Sequence, residues 1–247
     1  MKQYGLIGFP LGHSFSKKYF TEKFEREGID AQYDLFELKT IEEFKTLIQN
    51  SHLSGLNVTI PYKEQVISYL DELDETAAEI GAVNTIRFVS VNGKTVLKGY
   101  NSDVVGFTNS IGPLLLPNHK KALILGTGGA SKAIAYGLKK MGLEIKFVSR
   151  TLKPDNFTYS QLNKQILSEY LVVVNASPVG TFPHSNECPD IPYQYLTADH
   201  LLFDVVYNPT ETLFMKKGKE QGAQVINGEA MLVGQAVEAW KIWNLGS

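Results

Sequence analysis

The chain is poor in cysteine and carries no excess of charge of either sign. Its 247 residues contain a single cysteine, Cys188, so neither an internal disulfide nor a multi-thiolate metal site can form. Lysine and arginine total 24 and aspartate and glutamate total 26, which gives a formal net charge of -2. A nearly neutral chain has no broad field that would gather nucleic acid or an acidic membrane, so we expect neither partner.

Long apolar runs and metal-ligand spacings are also missing from the sequence. No stretch approaches the ~18 apolar residues needed to span a membrane, and the N-terminal MKQYGLIGFP predicts a first strand rather than a signal peptide. The single cysteine suits a reducing compartment, and we expect a cytoplasmic protein. The five histidines, at positions 13, 52, 119, 184 and 200, form no ligand-spaced pair, so we expect no metal site.

Strand-like and helix-like segments alternate along the whole chain, which predicts an α/β fold with two domains. In the first part we expect strands at Lys2–Gly8, Tyr33–Leu38 and Leu56–Ile60, helices at Ser16–Glu27 and Ile41–Gln49, two helical stretches ending near Ile80, and a hairpin of Asn84–Val91 and Lys94–Lys98 around Asn92-Gly93. In the second part we expect buried parallel strands at Lys121–Leu125, Glu144–Ser149, Leu171–Asn175 and Leu201–Val206, with helices at Asp103–Leu116, Ala130–Met141 and Gly228–Trp243. The last helix is expected to return to the first domain, which gives domains of 1–104 with 229–247 and of 105–228.

A glycine-rich turn follows the strand Lys121–Leu125 and opens the next helix. Its residues are Gly126, Thr127, Gly128, Gly129 and Ala130, with Ser131 or Ala133 as the third small residue of a dinucleotide fingerprint. Such glycines let backbone N–H groups approach a pyrophosphate at the positive end of a helix. A tight turn without a ligand is the alternative.

The end of the following strand favours NADP over NAD. Ser149, Arg150 and Thr151 stand where an NAD site usually has a carboxylate for the ribose hydroxyls. Arg150 can pair with a 2′-phosphate and the two hydroxyls can donate to it, whereas a carboxylate would repel it. A solvated charge at the strand end is the alternative for Arg150. Asn175 and Ser177 follow another apolar strand, where a cofactor loop and an ordinary Pro-Gly loop are equally compatible with the sequence.

Polar residues stand at the strand ends of the first part. Ser14 and Ser16 suit a carboxylate ligand, although Ser16 could instead cap the following helix. Asn57 and Thr59 alternate with apolar neighbours, so they are expected on one face. Lys63 follows shortly, and a lysine alone is more often a surface charge.

Asn84, Asp103 and two later residues complete the polar set. Asp103 could simply cap the helix that it precedes. Tyr207 is placed to flank a nicotinamide, and Gln235 could reach a substrate from the last helix. Serines, asparagines, threonine, lysine and aspartate together suit a polyhydroxylated acid.

The ordered motifs resemble those of the shikimate dehydrogenase family and its quinate-using relatives over essentially the whole chain. These motifs are HSFS, GLNVTIPYK, GAVNT, GYNSD, GTGGASKA, SRT, NASPVG, VVYNPTET and NGEAMLVGQA. The resemblance implies an oxidoreductase of aromatic amino-acid biosynthesis that reduces 3-dehydroshikimate to shikimate with NADPH. It also implies a first domain that binds substrate and a Rossmann-like second domain that binds NADP.

The resemblance assigns roles to individual residues. Lys63 and Asp103 are expected to be the catalytic pair. The expected substrate-binding residues are Ser14, Ser16, Asn57, Thr59, Asn84, Tyr207 and Gln235. The expected NADP-binding residues are Gly126, Thr127, Gly128, Gly129, Ala130, Ser149, Arg150, Thr151, Asn175, Ser177, Val205 and Gly228.

The sequence departs from the family pattern after Ser16, where Lys17-Lys18-Tyr19-Phe20 replaces the usual proline and His-Asn pair. Asn-Ser-Asp also replaces the commoner Asn-Thr-Asp, and Ser149 replaces a frequent asparagine. Three possibilities therefore stay open beside the main one: use of quinate, use of NAD, and a regulatory homologue with weak catalysis. We expect a monomer or homodimer with small-molecule partners only.

Overall fold

The computed structural model describes residues 1–12, 14–50 and 52–246, so His13 of the HSFS motif lies outside the described residues. The chain divides into two compact units. Unit 1 comprises Met1–Ser102 and Gln235–Ser247, and unit 2 comprises Asp103–Gly234. The sequence-based boundaries of 104/105 and 228/229 differ from these limits by two and by six residues.

Unit 1 contains a mixed sheet with the strand order β2-β1-β3-β5-β6-β4. The strands are β1 (Lys2–Gly8), β2 (Ala31–Glu37), β3 (Leu53–Val58), β4 (Glu72–Leu73), β5 (Thr85–Val91) and β6 (Lys94–Tyr100). Its helices are α1 (Phe15–Glu27), α2 (Glu43–Asn50) and α3 (Glu75–Ile80). Strand β1 pairs in parallel with β2 and β3, whereas β5 pairs antiparallel with β3 and β6. The predicted hairpin is therefore confirmed as β5 and β6.

Two predictions in unit 1 were wrong in detail. Strand β3 ends at Val58 rather than Ile60, and the Ile60 side chain is 71% exposed. Pro61 has no N–H to donate and restricts the residue before it, so the regular strand ends at Val58. Single backbone bonds still follow it, from Thr59 N to the Ile7 carbonyl and from Phe9 N to the Ile60 carbonyl. The first of the two helical stretches before Ile80 is a short 3₁₀ turn, Gln65–Tyr69, and the two-residue strand β4 separates it from α3.

An aromatic cluster attaches α1 and the C-terminal helix to the sheet of unit 1. Helix α8 (Glu229–Trp243) begins in unit 2 and continues in unit 1 from Gln235. Trp243 lies 5.1 Å from Phe20 between ring centroids, and its indole N–H donates to the Ile86 carbonyl at 3.1 Å. Phe20 and Phe24 are buried on one side of α1, as their spacing predicted.

Unit 2 contains a parallel sheet with the strand order β12-β11-β10-β7-β8-β9. Its strands are β7 (Lys121–Leu125), β8 (Glu144–Ser149), β9 (Phe157–Thr158), β10 (Val172–Asn175), β11 (Leu201–Asp204) and β12 (Gln224–Ile226). Its helices are α4 (Asp103–Ile111), α5 (Gly129–Lys140), α6 (Lys164–Glu169) and α7 (Leu213–Glu220). Numbered within the unit, this order is that of the Rossmann fold, with the β7 and β10 strands adjacent where the order reverses. The predicted doubly wound fold is confirmed.

The central strands of unit 2 are apolar on both faces. Ala122, Leu123, Ile124 and Leu125 of β7 are fully buried, as a parallel sheet covered by helices requires. Helix α4 ends at Ile111, earlier than expected, because Pro113 cannot continue it and a 3₁₀ turn follows. Within the described part of the chain, no helix is long and apolar enough to cross a bilayer.

Candidate functional site

Buried polar side chains connect the ends of β3 and β5 in unit 1. Asn57, the penultimate residue of β3, is 4% exposed, and its Nδ2 donates to the Asn84 carbonyl at 3.3 Å and to Thr85 Oγ1 at 3.4 Å. Asn84 precedes β5 and is 2% exposed. A buried amide is tolerated only when its polar atoms are paired, so this network fixes both asparagines.

The orientation of the Asn84 amide is set by donors that converge on its oxygen. Asn84 Oδ1 accepts from the Ser102 backbone N–H at 2.7 Å, from Ser102 Oγ at 3.1 Å and from Thr85 Oγ1 at 3.1 Å. An amide oxygen with these partners leaves Nδ2 as the donor end of the group. The site therefore presents a fixed N–H donor at Asn84.

Tyr33 connects Ser16 to Asn57, and the sequence analysis did not identify it. Its hydroxyl donates to Asn57 Oδ1 at 2.8 Å and shares a hydrogen bond with the Ser16 hydroxyl. Burial raises the pKa of Tyr33, so its hydroxyl keeps its proton. The Tyr33 and Asn57 positions are 24 apart in sequence, and a lone tyrosine in a strand gives no local signal of such a contact.

The two serines before and within α1 have different structural positions. Ser14 is the N-cap of α1, and its Oγ accepts from Lys17 N at 3.3 Å. The alternative that Ser16 caps this helix is therefore wrong, because Ser16 already lies inside α1. Both serines are half-buried, and their hydroxyls are attached to the start of one helix.

Lys63 lies in the turn that follows β3. Its backbone carbonyl accepts from Val83 N at 2.7 Å, which joins this turn to the residue before Asn84. The neighbouring Tyr62 is buried and donates its hydroxyl to the Leu38 carbonyl at 2.6 Å. The side chains of Lys63 and Thr59 are both half-buried. Lys63 is therefore not a fully solvated surface charge.

The other predicted site residues of this group lie at different points of the chain. Asp103 is the first residue of α4 in unit 2 and is 6% exposed, whereas Tyr207 follows β11 in unit 2 and is 40% exposed. Gln235 is the first residue of α8 that belongs to unit 1, and it is 9% exposed. The structure thus joins Ser16, Asn57 and Asn84 in one hydrogen-bonded network within unit 1.

The glycine turn of unit 2 has the form that a pyrophosphate requires. Gly126 has φ +108°, which disfavours other residues. A Cβ built there would lie 3.2 Å from Ser177 N. Gly128 is the N-cap of α5, and a Cβ on it would meet nothing within 4 Å. Open space at the positive end of a helix fits the phosphates of a dinucleotide.

The end of β8 supplies a cation but no carboxylate within Ser149, Arg150 and Thr151. Arg150 and Thr151 are exposed, whereas Ser149 is 9% exposed and donates its Oγ to the Thr151 carbonyl at 2.5 Å. The Ser149 hydroxyl thus shapes the turn after β8. An exposed guanidinium at this strand end fits a 2′-phosphate.

Asn175 at the end of β10 is fully buried and organises the loop that follows it. Its Oδ1 accepts from Ser177 N at 3.2 Å and from Ser177 Oγ at 2.7 Å, and its Nδ2 donates to the Val179 carbonyl at 3.2 Å. At the end of β11, Val205 lies against Gly228, where any side chain would collide with the Val205 carbonyl. Both loops follow the carboxyl ends of strands, where dinucleotides bind in this fold.

Asp204 is a buried carboxylate to which the sequence analysis gave no role. Burial raises its pKa to about 6, against hydrogen bonds from Thr212, Val206 N and Asn175 that lower it. A carboxylate at the end of an apolar strand is a signal that could have identified it. Among residues 1–12, 14–50 and 52–246, no cluster of three histidine, cysteine, aspartate or glutamate side chains could hold a metal ion.

The Rossmann order of the parallel sheet and the glycine turn into α5 are typical of dinucleotide-binding proteins. Comparison with known proteins gives the family. Residues 6–86 match the family model of the shikimate dehydrogenase substrate binding domain. The shikimate dehydrogenase (NADP(+)) of Aquifex aeolicus is 38% identical over 98% of this chain and 90% of its own length. That of Halothermothrix orenii is 40% identical over 97% of this chain and 89% of its own length.

Solved structures agree with the sequence relatives. The shikimate 5-dehydrogenase of Thermus thermophilus, crystallised with NADP(H) and shikimate, superposes with a TM-score of 0.85 at 28% identity. The match covers 98% of this chain and 92% of that chain. The chain belongs to the shikimate dehydrogenase family.

Proposed function

We propose that the protein catalyses the reversible NADPH-dependent reduction of 3-dehydroshikimate to shikimate, a step of aromatic amino-acid biosynthesis. The observation that carries the proposal is near-full-length identity of 38% and 40% to two NADP(+)-dependent shikimate dehydrogenases. In unit 1, the ordered amide network of Asn57 and Asn84 adds physical support.

Unit 1 binds the hydroxylated acid. Ser14 and Ser16 donate to the substrate carboxylate, and Asn57, Thr59, Asn84 and Gln235 hold the ring hydroxyls. The three donors on Asn84 Oδ1 fix the orientation of this amide before substrate arrives, so little ordering entropy is lost on binding.

Lys63 and Asp103 handle the proton. The Lys63 Nζ ammonium donates a proton to the oxygen of the ketone as it becomes an alkoxide, and the neutral amine takes the proton back in the reverse direction. Asp103 is the second member of the proposed catalytic pair and accepts a hydrogen bond from the reacting hydroxyl. The Tyr62 anchor on Leu38 and the Val83 bond hold the backbone from which Lys63 projects.

Unit 2 would hold the dinucleotide, which in its reduced form, NADPH, supplies the hydride to the carbonyl carbon and leaves as NADP+. Backbone N–H groups of the turn Gly126–Ala130 receive the pyrophosphate. Arg150 pairs with the 2′-phosphate, with the Ser149–Thr151 turn beneath it. The loops carrying Asn175, Ser177 and Val205 line the nicotinamide end, together with Gly228, and Tyr207 flanks the ring.

Residues of this chain disfavour two of the three alternatives, the use of NAD and a regulatory homologue. An exposed Arg150 without a carboxylate beside it disfavours NAD. The NADP(+) names of the relatives agree with that preference. The retention of both Lys63 and Asp103 disfavours a purely regulatory homologue, because a sensor needs no proton donor.

The experiment that tests the proposal is a rate measurement at the reduced-nicotinamide absorbance band, with each pairing of shikimate or quinate with NADP or NAD. We expect the fastest rise with shikimate and NADP. A faster rise with quinate would overturn the substrate assignment, and a faster rise with NAD would overturn the cofactor assignment. No rise with any pairing would overturn the activity.

A monomer or homodimer is proposed for the assembly state. Scattering-detected size-exclusion chromatography measures this directly, since the monomer has a mass of 27.5 kDa. A tetramer or larger species would contradict this part of the proposal.

A further inference from the structure

Asp204, the last residue of β11, joins three segments of unit 2 through its carboxylate. Oδ1 accepts from Asn175 Nδ2 at 2.9 Å and from the Val206 backbone N–H at 3.0 Å. Oδ2 accepts from Thr212 Oγ1 at 2.6 Å. These donors come from the end of β10, from the residues after β11 and from the N-cap of α7. One buried carboxylate therefore fixes the loops that follow two adjacent parallel strands.

The contact with Asp204 decides which way the Asn175 amide faces. Because a carboxylate can only accept, the Asn175 atom toward it must be Nδ2, and Oδ1 must point the other way. Oδ1 then accepts both the N–H and the hydroxyl of Ser177, at 3.2 and 2.7 Å. Reversal of the amide would put oxygen against the carboxylate and NH₂ against the Ser177 N–H, so the reversed state is unfavourable.

The loop Ala176–Gly180, which the Asn175 amide orders, supports the glycine turn Gly126–Ala130. Gly126 packs so closely on Ser177 that a Cβ at Gly126 would lie 3.2 Å from Ser177 N. The backbone of Ala176 lies at 3.3 Å from the same position. Asp204 thus acts on Asn175, Asn175 on Ser177, and Ser177 on the back of the turn that opens α5.

We infer that Asp204 is a positioning residue for dinucleotide binding, acting through the Asn175 amide on the loop Ala176–Gly180 and the glycine turn. This inference rests on the proposed function, because it takes NADP as the ligand of unit 2. Asp204 is not a catalytic residue, since it is fully buried beneath the loops that it orders.

The cost of burying a carboxylate allows a positioning role of Asp204 to be distinguished from a purely structural role. Burial raises the pKa of Asp204 to about 6, so the protein holds this group charged at pH 8 at a cost in stability. A neutral amide of the same shape avoids that cost. It binds the Asn175 and Val206 donors more weakly, however, because hydrogen bonds to ionised acceptors are the stronger ones.

The test is a titration of NADPH at pH 8, followed by the fluorescence of the reduced nicotinamide, with Asp204→Asn beside the wild type. We expect roughly five- to tenfold weaker binding in the variant, the difference between a hydrogen bond to an ionised acceptor and one to a neutral acceptor. We also expect a melting temperature at or above that of the wild type. Asp71→Asn is the matched control. Its carboxylate accepts from Leu97 N at 2.7 Å in unit 1, and NADPH affinity should be unchanged.

A second pair of variants tests the route through Asn175. If Asp204 acts through that amide, Asp204→Asn should have little further effect on NADPH affinity in an Asn175→Ala background. Full additivity of the two changes would overturn this route.

Three outcomes of the titration decide the rest. Wild-type affinity in Asp204→Asn would overturn the inference and leave the proposed function intact. Weaker NADPH binding together with a lower melting temperature would indicate a purely structural role for Asp204, and this result would also overturn the inference. Absence of NADPH binding by the wild type would overturn the proposed function and this inference with it.

Discussion

The two units place their polar side chains differently. In unit 1, buried amides and hydroxyls occupy the strand ends themselves, as at Asn57, Asn84 and Thr85. In unit 2, β10 and β11 are apolar up to their last residues, Asn175 and Asp204, whose side chains bond to the loops beyond the strands. The glycine turn and Arg150 then present backbone N–H groups and one exposed cation.

The difference corresponds to two kinds of ligand. A small ring with several hydroxyls needs donors and acceptors at fixed positions, which a buried network provides before binding. A dinucleotide is long and highly charged, so backbone N–H groups at a helix start and an arginine suffice for its phosphates. The variants that follow test this difference between the two units, beginning with the one for which we expect the greatest change.

Lys63→Met should have the largest effect, because it removes the proposed proton donor of unit 1 and keeps most of the side-chain volume. We expect kcat to fall by roughly 10³-fold with KM for shikimate changed far less, which is the usual size of a general acid contribution. Steady-state rates at the reduced-nicotinamide band measure this. Lys94→Ala, at an exposed position of the hairpin, is the control. Near wild-type turnover in Lys63→Met would remove the assigned role.

Asp204→Asn should change how the stability of unit 2 depends on pH. The folded pKa of about 6 lies above the ordinary value of 3.8, so Asp204 favours folding below about pH 4 and this contribution is lost as the pH rises through about 6. Two pKa units correspond to about 3 kcal/mol. The variant should therefore gain up to about 3 kcal/mol of unfolding free energy relative to wild type between pH 4 and pH 7. Denaturant titrations across this range measure it, and parallel pH profiles would contradict the assignment.

Arg150→Ala should weaken NADP selectively. We expect KM for NADP to rise about tenfold, since an exposed charge-assisted pair contributes at the low end of its range. KM for NAD should hardly change, because NAD lacks the 2′-phosphate. Arg26→Ala, an exposed arginine of unit 1 paired with Glu27, is the matched control. Equal losses for NADP and NAD would place Arg150 elsewhere than at the 2′-phosphate.

The comparison of Tyr33→Phe with Tyr62→Phe should show the smallest effect. It tests the hydrogen-bonded network of Ser16, Asn57 and Asn84 in unit 1. Tyr62→Phe deletes the hydrogen bond to the Leu38 carbonyl, whereas Tyr33→Phe deletes the bond to Asn57 and the bond with the Ser16 hydroxyl. Each lost hydrogen bond should cost about 1 kcal/mol of stability. Only Tyr33→Phe removes a donor from Asn57, so only it should raise KM for shikimate, by about threefold. A matching rise in Tyr62→Phe would mean that general loosening, rather than the network, sets the affinity.

Sequence patterns predicted the elements whose signals are local. The bounds of β1, β7 and β8 agree with the structure residue for residue, because apolar runs between polar turns define them. The two-residue strands β4 and β9 were missed, since pairing with a neighbouring strand creates them. Helices α6 (Lys164–Glu169) and α7 (Leu213–Glu220) were also missed.

The candidate site was predictable to a similar extent. The positions of Asn57, Asn84 and Asn175 at strand ends followed from motif and strand together. Their partners did not, because Tyr33 lies 24 residues from Asn57 and Asp204 lies 29 residues from Asn175. Which residues meet in such pairs depends on the order of the strands in the sheet. No short stretch of the sequence specifies that order.

The proposal that unit 1 binds shikimate and unit 2 binds NADP is tested most directly with Asn84→Ala. The measurement is KM for shikimate and KM for NADP, well below the melting temperature of the variant. The variant loses the amide that Ser102 and Thr85 hold in place. The account predicts that KM for shikimate rises about tenfold while KM for NADP stays at the wild-type value. A rise in KM for NADP as large as that for shikimate would contradict it.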